Sequence, residues 1–521
     1  PFTRRHAVRH RRAPCPPAAS ATPAARAAFP ARPAAELPDA VPLAVSGTLP
    51  PWLNGALIRN GPGVFPDAVS HMFDGFALLA RLDVAGGPRP SVTQRQRFLE
   101  SAAWAAVRDT GDMAFSEFGT PLPLARGVAA LARGALGLGP AFTDNASVTV
   151  RPGRAGELVA ATESVAGLWR VDAATLATLG PAAAADGVPG ALTTAHPHTR
   201  SDGTLVNFAT GVGGRTTVFV QDAATAARAP VAALPLRLPP APCWMHAFPA
   251  TDEWCVLPEQ PVPMDLKAAL LGGGDHAMFG WRPDLGTRYT LVRLPPVAGA
   301  GPSSAAAAAA PPAVFESPEP IFYFHTVNAF CTATEFVFDV PRFPDPTMIN
   351  RLSLDNQRAA PGEAAPVERS TLTRVALPLS GNGPVSLTRL CADGSEPYFF
   401  EFPAVNPLWK GRSEYRFAWG IAATPPAAAG DSLVKVTLRG TAPPAMWREA
   451  GCLTGEPVVV PRPGGAAEDD AVVLSIVTSA AGPSFLLVLD AASMRELARA
   501  PLAAGLPYGF HGLWVEGGGK E

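Results

Sequence analysis

The stretch LWRVDAATL at residues 168–176 is echoed far along the chain by LLVLDAASM at residues 486–494. Each copy has the pattern of a short apolar strand, an Asp-Ala-Ala turn and the beginning of a second strand. Similar hairpins at distant places in one sequence are typical of repeated structural units, and the blades of a β-propeller are units of this kind. The repeat therefore favours an all-β propeller.

The rest of the chain supports this fold class. From about residue 40 onward, short β-type runs alternate with turn residues, as in GALIRN (55–60), ELVAATE (157–163), TTVFVQ (216–221) and VVLSIV (472–477). The 521 residues include 59 prolines and 49 glycines, which favour many turns and short strands over long helices. Because large β folds form single units of this length, we predict one domain over residues 39–521.

The composition excludes several classes of protein. The net charge of −2 offers no basic field for nucleic acid, and no apolar run is long enough to span a bilayer. The six cysteines are scattered without a CxxC pair, which argues against a zinc or iron–sulfur site built from thiolates. An apolar content of 47% is ample for a sizeable core.

The first residues differ from the rest. Residues 1–35 contain seven arginines and no acid, and the first carboxylate is Glu36. This composition is typical of an organelle transit peptide, which we place at residues 1–38 and expect to be disordered. Composition alone does not separate a plastid from a mitochondrial address, nor either from a tail without an address.

Three segments interrupt the β pattern. The low-complexity residues 301–314 and the polar residues 355–369 are expected to be surface loop insertions, while residues of about 100–140 are expected to form a cap. Within the cap, residues 122–138 have helical periodicity. Their apolar arc comprises Leu124, Val128, Leu131 and Ala135, and Arg126 and Arg133 lie opposite. Such a helix either packs inward as part of the cap or contacts a membrane surface near a substrate entrance.

Four histidines lie in short apolar or aromatic contexts. They are His196 in TAHPH, His246 in WMHAF, His325 in FHTVNAF and His511 in GFHGLW. A single histidine in such a context is most often a core residue. However, the inner strands of successive propeller blades face a central axis, so one residue from each of several blades can meet there. Neutral imidazoles suit iron, copper, zinc or nickel.

Taken in order, these four contexts resemble the metal-binding motifs of the carotenoid cleavage oxygenases. The resemblance extends over residues 40–518 and implies a seven-bladed β-propeller with a helical and loop cap over one face. It also implies that a non-haem Fe(II) ion is held on the axis by the four histidines. The stretches PWLNG (51–55), RNGPG (59–63) and HMFDGF (71–76) resemble further signatures of the family, so His71 is expected to be structural.

The resemblance also implies which residues support the metal. Three glutamates match residues of the family that accept a hydrogen bond from the ring nitrogen of a ligand histidine that does not bind the metal. They are Glu163 in ATES, Glu401 in FFEFP and Glu456 in TGEPV. We expect His246 to be the ligand without such a glutamate. Aromatic residues near the ligands are expected either to line an apolar substrate tunnel or to belong to the propeller core. They are Trp244, Phe324, Phe330, Phe510 and Trp514.

The implied activity is oxidative cleavage, with molecular oxygen, of a C=C bond in a carotenoid or apocarotenoid to give two carbonyl products. The stretches ESAAW (100–104), FTDNAS (142–147), APCWMHAFPAT (241–251) and GLPYGFH (505–511) resemble the carlactone-synthase-like branch of plants and algae. That branch implies a plastid location, an apolar polyene as the binding partner and a carlactone-type product.

Three alternatives remain open at this point. Stilbene-cleaving relatives carry a lysine just before the supporting glutamate, where this chain has Thr162. A retinoid isomerohydrolase uses the same iron site without oxygen. A propeller that only binds partners has no need for the four histidines and three glutamates, and its iron content would distinguish it.

Overall fold

A computed structural model describes residues 23–136, 142–182, 188–211, 214–222, 225–297, 311–360, 362–391, 395–425 and 427–517. Its strands form seven sheets arranged in a ring, which is the predicted seven-bladed β-propeller. Neighbouring strands in each blade pair antiparallel, so the polar backbone groups are satisfied within the blade.

The blades are numbered I to VII along the ring. Blade I combines strands from both ends of the chain: β1 (Leu37–Leu43), β3 (Asn54–Val64), β4 (Phe76–Ala85), β5 (Ser91–Phe98) and β31 (Gly512–Glu516). Blade II comprises β6 (Thr149–Pro152), β7 (Glu157–Ala161), β8 (Leu168–Asp172) and β9 (Thr178–Pro181). Blade III comprises β10 (Leu192–Thr193), β11 (His198–Thr199), β12 (Leu205–Gly211), β13 (Arg215–Gln221) and β14 (Arg228–Pro235).

The remaining four blades complete the ring. Blade IV comprises β15 (Trp254–Glu259), β16 (Thr287–Arg293) and β17 (Ala313–Ser317). Blade V comprises β18 (Asn328–Cys331), β19 (Glu335–Arg342), β20 (Thr371–Pro378) and β21 (Ser386–Arg389). Blade VI comprises β22 (Phe399–Ala404), β23 (Phe417–Ala423), β24 (Ser432–Thr437) and β25 (Ala445–Arg448). Blade VII comprises β2 (Ser46–Gly47), β26 (Cys452–Thr454), β27 (Val458–Pro461), β28 (Ala471–Ser479), β29 (Phe485–Asp490) and β30 (Glu496–Pro501).

The two ends of the chain close the ring. β31 pairs with β3, with Arg59 opposite Gly512 and Gly55 opposite Glu516. The early strands β1 and β2 pair with β5 and β30, so residues near the N-terminus are built into blades I and VII. A propeller closed in this way has no open gap between its first and last blades.

The hairpins that suggested a repeat lie in equivalent places. Residues 168–176 form β8 and the turn after it in blade II, and residues 486–494 form most of β29 and the turn after it in blade VII. In both turns an aspartate carboxylate accepts hydrogen bonds from residues just beyond it, Asp172 from Thr175 and Asp490 from Ser493. The sequence repeat therefore marks the same strand–turn unit in two blades.

Six short α-helices accompany the propeller in the described part of the chain. They are α1 (Pro23–Ala28), α2 (Ala102–Thr110), α3 (Leu124–Ala135), α4 (Leu266–Leu271), α5 (Thr347–Arg351) and α6 (Leu354–Gln357). The N-terminus of α2 is capped by the Ser101 hydroxyl and the Asp144 carboxylate, both of which accept backbone N–H groups. Within the described part of the chain, no helix is long and apolar enough to cross a bilayer.

The predicted disorder is wrong for residues 23–38. Helix α1 packs on blade VII, and Phe29 is 2% exposed, with its ring against Phe65 and Tyr508. The Arg358 guanidinium donates to the Phe29 carbonyl. The error arises because a short run of Ala and Phe that packs in the core lies within an Arg-rich segment. The overall composition of that segment does not reveal the run. Residues 1–22 lie outside the described part of the chain.

The two predicted loop insertions have different outcomes. The segment 355–369 is not simply a surface loop, since its first residues belong to α6 and Val367 is 1% exposed. The Asn356 side chain ties the ends of this segment together by bonding Arg351 and Ala365. Of the segment 301–314, residues 301–310 lie outside the described part of the chain, while residues 313 and 314 begin β17.

We predict that Phe29→Ala lowers the free energy of unfolding by about 3–5 kcal/mol, because it leaves a cavity between Phe65 and Tyr508. Urea denaturation measures the change. The control is Leu408→Ala at a side chain that is 51% exposed, which is expected to change stability by less than about 0.5 kcal/mol. Equal stability of the two variants would show that residues 23–29 do not belong to the folded domain.

Candidate metal centre

Each of the seven blades supplies one residue to a cluster on the propeller axis. The histidines come from four blades: His511 before β31 in blade I, His196 in blade III, His246 before β15 in blade IV and His325 before β18 in blade V. The glutamates come from the other three: Glu163 after β7 in blade II, Glu401 within β22 in blade VI and Glu456 between β26 and β27 in blade VII. The propeller thus brings together residues that are far apart in sequence.

The four imidazoles face one another through Nε2. The Nε2 atoms of His196 and His246 are 3.2 Å apart, those of His246 and His325 are 3.2 Å apart, and those of His325 and His511 are 3.1 Å apart. One ligand atom from each of the four lies within 4.8 Å of the others. Adjacent ligands of an octahedral metal with bonds of about 2.1 Å are about 3 Å apart, so the spacing suits a shared metal ion.

The glutamates determine which ring nitrogen carries the proton. Glu163 lies 2.5 Å from Nδ1 of His246, Glu401 lies 2.6 Å from Nδ1 of His325, and Glu456 lies 2.7 Å from Nδ1 of His511. An Nδ1–H that donates to a carboxylate leaves a lone pair on Nε2. The Nε2 pairs of His246 with His325 and of His325 with His511 are therefore not hydrogen bonds, and their facing lone pairs suit a shared cation.

One assignment made from the sequence is wrong. His246, expected to lack a glutamate, bonds Glu163, and among the described contacts of His196 no carboxylate is present. Glu163 follows β7 in blade II and reaches past blade III to blade IV. Proximity in the sequence cannot reveal this offset, because it depends on the order and tilt of the blades.

The charges of the centre also fit a divalent cation. Burial and the neighbouring imidazoles lower the pKa of His196 and of His511 well below the ordinary value, which favours neutral rings. Three carboxylates and the buried Arg59 guanidinium, which bonds Glu456 at 2.7 Å, carry a net charge of −2. A divalent metal ion neutralises this charge, and four neutral nitrogen ligands are suited to iron among other transition metals.

Arg59 is a functional residue that the sequence reasoning missed. Its guanidinium bonds both the Glu456 carboxylate and the Phe510 carbonyl, the latter at 2.7 Å. The residue lies in RNGPG, which was interpreted only as a family signature. Burial raises the pKa of Glu456, and Arg59 opposes that shift. Arg59 thus helps to keep the partner of His511 ionised.

Two further aromatic residues enclose the imidazoles. The Phe402 ring lies 5.3 Å from that of His325 and 5.1 Å from that of His511. Its φ angle of 49° is unusual for a bulky residue and accompanies an irregularity in β22 next to Glu401. On another side, the Phe73 ring is parallel to that of His246 at 6.4 Å. In the sequence, the only sign that Phe402 lies near the centre is that it directly follows Glu401.

An apolar cavity opens onto the centre. Trp244, Phe324 and Phe510, three of the residues expected at a substrate tunnel, line this cavity together with Phe29 and Phe118. Phe330 and Trp514 do not: Phe330 packs against Tyr415 and Arg374, and Trp514 packs beside Gly55. Both residues lie in strands, and their side chains pack within the blades. Closeness to a ligand histidine in the sequence does not reveal this packing.

The remaining described histidines lie apart from the cluster. His71 bonds the Ile349 carbonyl through Nε2 and accepts the Phe73 N–H through Nδ1, as a structural residue does. His198 is in β11, where it pairs with Val206, and burial lowers its pKa to about 3. His276 lies in the turn after α4 beside Asn350.

Comparison with known proteins agrees with this centre. The family described as "Retinal pigment epithelial membrane protein" (RPE65) matches residues 30–516. Rice (Oryza sativa subsp. japonica) carotenoid cleavage dioxygenase 8 homolog A, chloroplastic, is 31% identical over 485 residues, which is 91% of this chain and 85% of that protein. Carotenoid cleavage dioxygenase 8, chloroplastic, of Arabidopsis thaliana is 30% identical over 496 residues, covering 91% of this chain and 83% of that protein.

The chain belongs to the carotenoid cleavage oxygenase family. A solved structure of the Synechocystis apocarotenoid oxygenase, in a variant form, superposes with a TM-score of 0.74 at 22% identity over 96% of this chain and 100% of that one. The lignostilbene dioxygenase of Pseudomonas brassicacearum superposes with a TM-score of 0.70 at 22% identity, over 94% of this chain and 97% of that one. These likenesses show that the oxygenase shares their fold.

We predict that Glu163→Gln and Glu401→Gln each weaken iron binding by about 10–100-fold, because an amide no longer holds the imidazole by charge. Iron affinity is measured by competition with a chelator. His276→Ala, far from the cluster in a turn, is the control and should bind iron like the parent protein. Unchanged affinity in both glutamate variants would contradict their role in orienting His246 and His325.

Proposed function

We propose that this carotenoid oxygenase is an Fe(II)-dependent dioxygenase that cleaves a C=C bond of an apocarotenoid to give two carbonyl products. The observation that carries the proposal is the convergence of four imidazoles, three of which line the apolar cavity. Iron(II) held by His196, His246, His325 and His511 would supply the reductive activation of molecular oxygen. A partner-binding propeller has no use for this arrangement.

The residues of the chain provide the setting for this chemistry. Glu163, Glu401 and Glu456 fix the tautomer and direction of three ligands before any substrate arrives. Phe73, Phe324 and Phe402 surround the imidazoles with hydrocarbon, which excludes bulk water from the reacting bond. The aromatic walls of the cavity offer a polyene the flat, apolar contacts that hold it against the centre.

The contents of the cavity favour a polyene over a stilbene. Thr162 stands where stilbene-cleaving relatives have lysine, and among the described residues that line the cavity no lysine or arginine occurs. The relatives from rice and Arabidopsis are named as chloroplastic carotenoid cleavage dioxygenases. These names support a plastid location and a carotenoid-type substrate for this chain.

A membrane surface is the proposed source of such an insoluble substrate. Of the two predictions for α3, inward packing of its apolar arc is wrong, because the arc faces outward. Leu124 is 50% exposed, Val128 49% and Leu131 37%. Helix α4 packs beside α3 and adds Leu266 and Leu271, which are 45% and 54% exposed. Met264, two residues before α4, and Phe118, six residues before α3, line the cavity, so the chain connects the apolar patch to the cavity through short segments.

The proposed reaction is tested by incubating the Fe(II)-loaded protein with oxygen and 9-cis or all-trans β-apo-10′-carotenal in detergent, and identifying the products by mass. We expect two carbonyl fragments that incorporate labelled oxygen, and carlactone where the branch assignment holds. His325→Ala should reduce turnover by at least about 10³-fold, as loss of a group essential to the chemical step does. An iron-replete protein that cleaves no polyene would overturn the proposal.

The membrane contact is tested by sedimentation with vesicles of galactolipid and phosphatidylglycerol. The double variant Leu124→Asp/Val128→Asp should bind at least about tenfold more weakly, because two apolar side chains can no longer enter the lipid. Ala129→Asp introduces a carboxylate at an exposed position on another face of α3 and is expected to bind almost normally. Equal loss in both variants would point to charge alone, against insertion of the apolar arc.

A further inference from the structure

The cavity has one polar wall, in which Glu117 stands out. Hydroxyl groups of Ser116, Thr143, Ser164 and Thr193 line this wall, while the other walls are mostly aromatic and aliphatic. Glu117 is 4% exposed, and its Oε1 accepts a 2.7 Å hydrogen bond from the Thr143 hydroxyl. Neither the metal centre nor the proposed cleavage step uses this carboxyl group.

The surroundings of Glu117 favour its neutral form. Two other carboxyl groups lie nearby, and each has backbone N–H donors: Asp144 accepts from Ala102 and Ala103, and Asp74 accepts from Gly119. Glu117 has the Thr143 hydroxyl and the Asn145 amide instead. Burial raises the pKa of Glu117 well above its usual range, and the charges of Asp74 and Asp144 raise it further.

The neighbouring hydroxyls are already committed as donors. Thr143 donates to Glu117, Ser164 donates to the Thr143 carbonyl at 2.5 Å, and Thr193 donates to the Phe208 carbonyl at 2.6 Å. Among the described residues of this wall, the Glu117 carboxyl and the Ser116 hydroxyl remain to donate to a ligand. A hydrocarbon offers no acceptor for these protons, whereas an aldehyde does.

The wall lies within reach of a polyene bound at the metal centre. Phe118, next to Glu117, contacts Trp244 with ring centroids 5.3 Å apart, and Trp244 contacts His246 at 5.6 Å. Glu163 closes the other side, since it bonds both His246 and the Trp244 indole N–H. A rigid conjugated chain can therefore extend from the histidines to the polar wall.

We propose that Glu117, as a neutral carboxylic acid, donates a hydrogen bond to the carbonyl oxygen of an apocarotenal and thereby selects oxygenated polyenes over hydrocarbon carotenes. The proposal rests on the proposed function for the nature of the ligand. Glu117 acts as a specificity residue: it holds the far end of the substrate and takes no part in bond cleavage. Recognition at one end fixes which double bond lies beside the metal centre.

The test compares the binding of two ligands to metal-free protein by quenching of tryptophan fluorescence. The ligands are an apocarotenal and the hydrocarbon of equal length that carries a methyl group in place of the aldehyde. We expect Glu117→Leu to weaken aldehyde binding about tenfold and to leave hydrocarbon binding unchanged, since one hydrogen bond is lost. Glu117→Gln keeps an N–H donor and should bind the aldehyde within about threefold of the parent protein.

Matched substitutions at Glu259 provide the control. This glutamate is also largely buried, lies outside the cavity and accepts the Arg237 N–H, so Glu259→Gln and Glu259→Leu should not change the preference between ligands. Equal weakening of both ligands by Glu117→Leu would indicate a structural role and overturn the proposal. Tighter aldehyde binding by Glu117→Gln would show that Glu117 is ionised and overturn it as well.

A measurement on the parent protein keeps the test decisive where Glu117→Leu fails to fold. The carbonyl stretch of the bound aldehyde, followed by Raman difference spectroscopy with an ¹⁸O label, should move to lower wavenumber than in an apolar solvent. An unshifted carbonyl overturns the proposal. Because binding is measured without iron, a protein that shows the preference yet cleaves no polyene would contradict only the proposed function.

Discussion

The hydrogen bonds from three imidazole Nδ1–H groups to three carboxylates are the interactions on which the site depends. Each bond fixes a tautomer, and only that tautomer leaves a lone pair on the nitrogen facing the axis. The same carboxylates supply the negative charge that makes a divalent cation favourable beside four neutral ligands. The same three contacts thus orient the imidazoles and supply the negative charge that favours a cation.

Closure of the ring and construction of the site are coupled through Arg59. Its backbone pairs with Gly512 across the β3–β31 ladder that joins the two ends of the chain. Its side chain bonds Glu456 from blade VII and the carbonyl of Phe510, the residue before His511. The position of His511 therefore depends on correct pairing between the first and last parts of the sequence. A propeller that closed with another register would displace this ligand and its glutamate together.

Much of the fold could be predicted from local marks in the sequence, and the metal centre was expected from the resemblance of four histidine contexts to motifs of the family. Alternating apolar strands, a repeated turn and four histidines in apolar contexts are visible without coordinates. What could not be predicted depends on three-dimensional placement. Which glutamate serves which histidine is set by the offset between blades II and IV, and whether Phe330 or Trp514 faces the cavity is set by how each side chain packs in its blade. The burial of Phe29 was not predicted, because the short buried segment around it lies in an Arg-rich part of the sequence.

The carboxyl groups around one cavity show how the same side chain is given different charge states. Glu163, Glu401 and Glu456 each accept an imidazole N–H, and Arg59 or a backbone N–H adds to two of them, so carboxylates on the axis have charged or polar donors. Glu117 faces a hydroxyl and an amide near two other carboxyl groups, so the neutral form is favoured at the wall. Charge is thereby concentrated where a metal ion can balance it, and an uncharged donor is left where a polyene must lie. An apolar cavity can accept both, because each carboxylate on the axis pairs with an imidazole and the carboxyl group at the wall is uncharged.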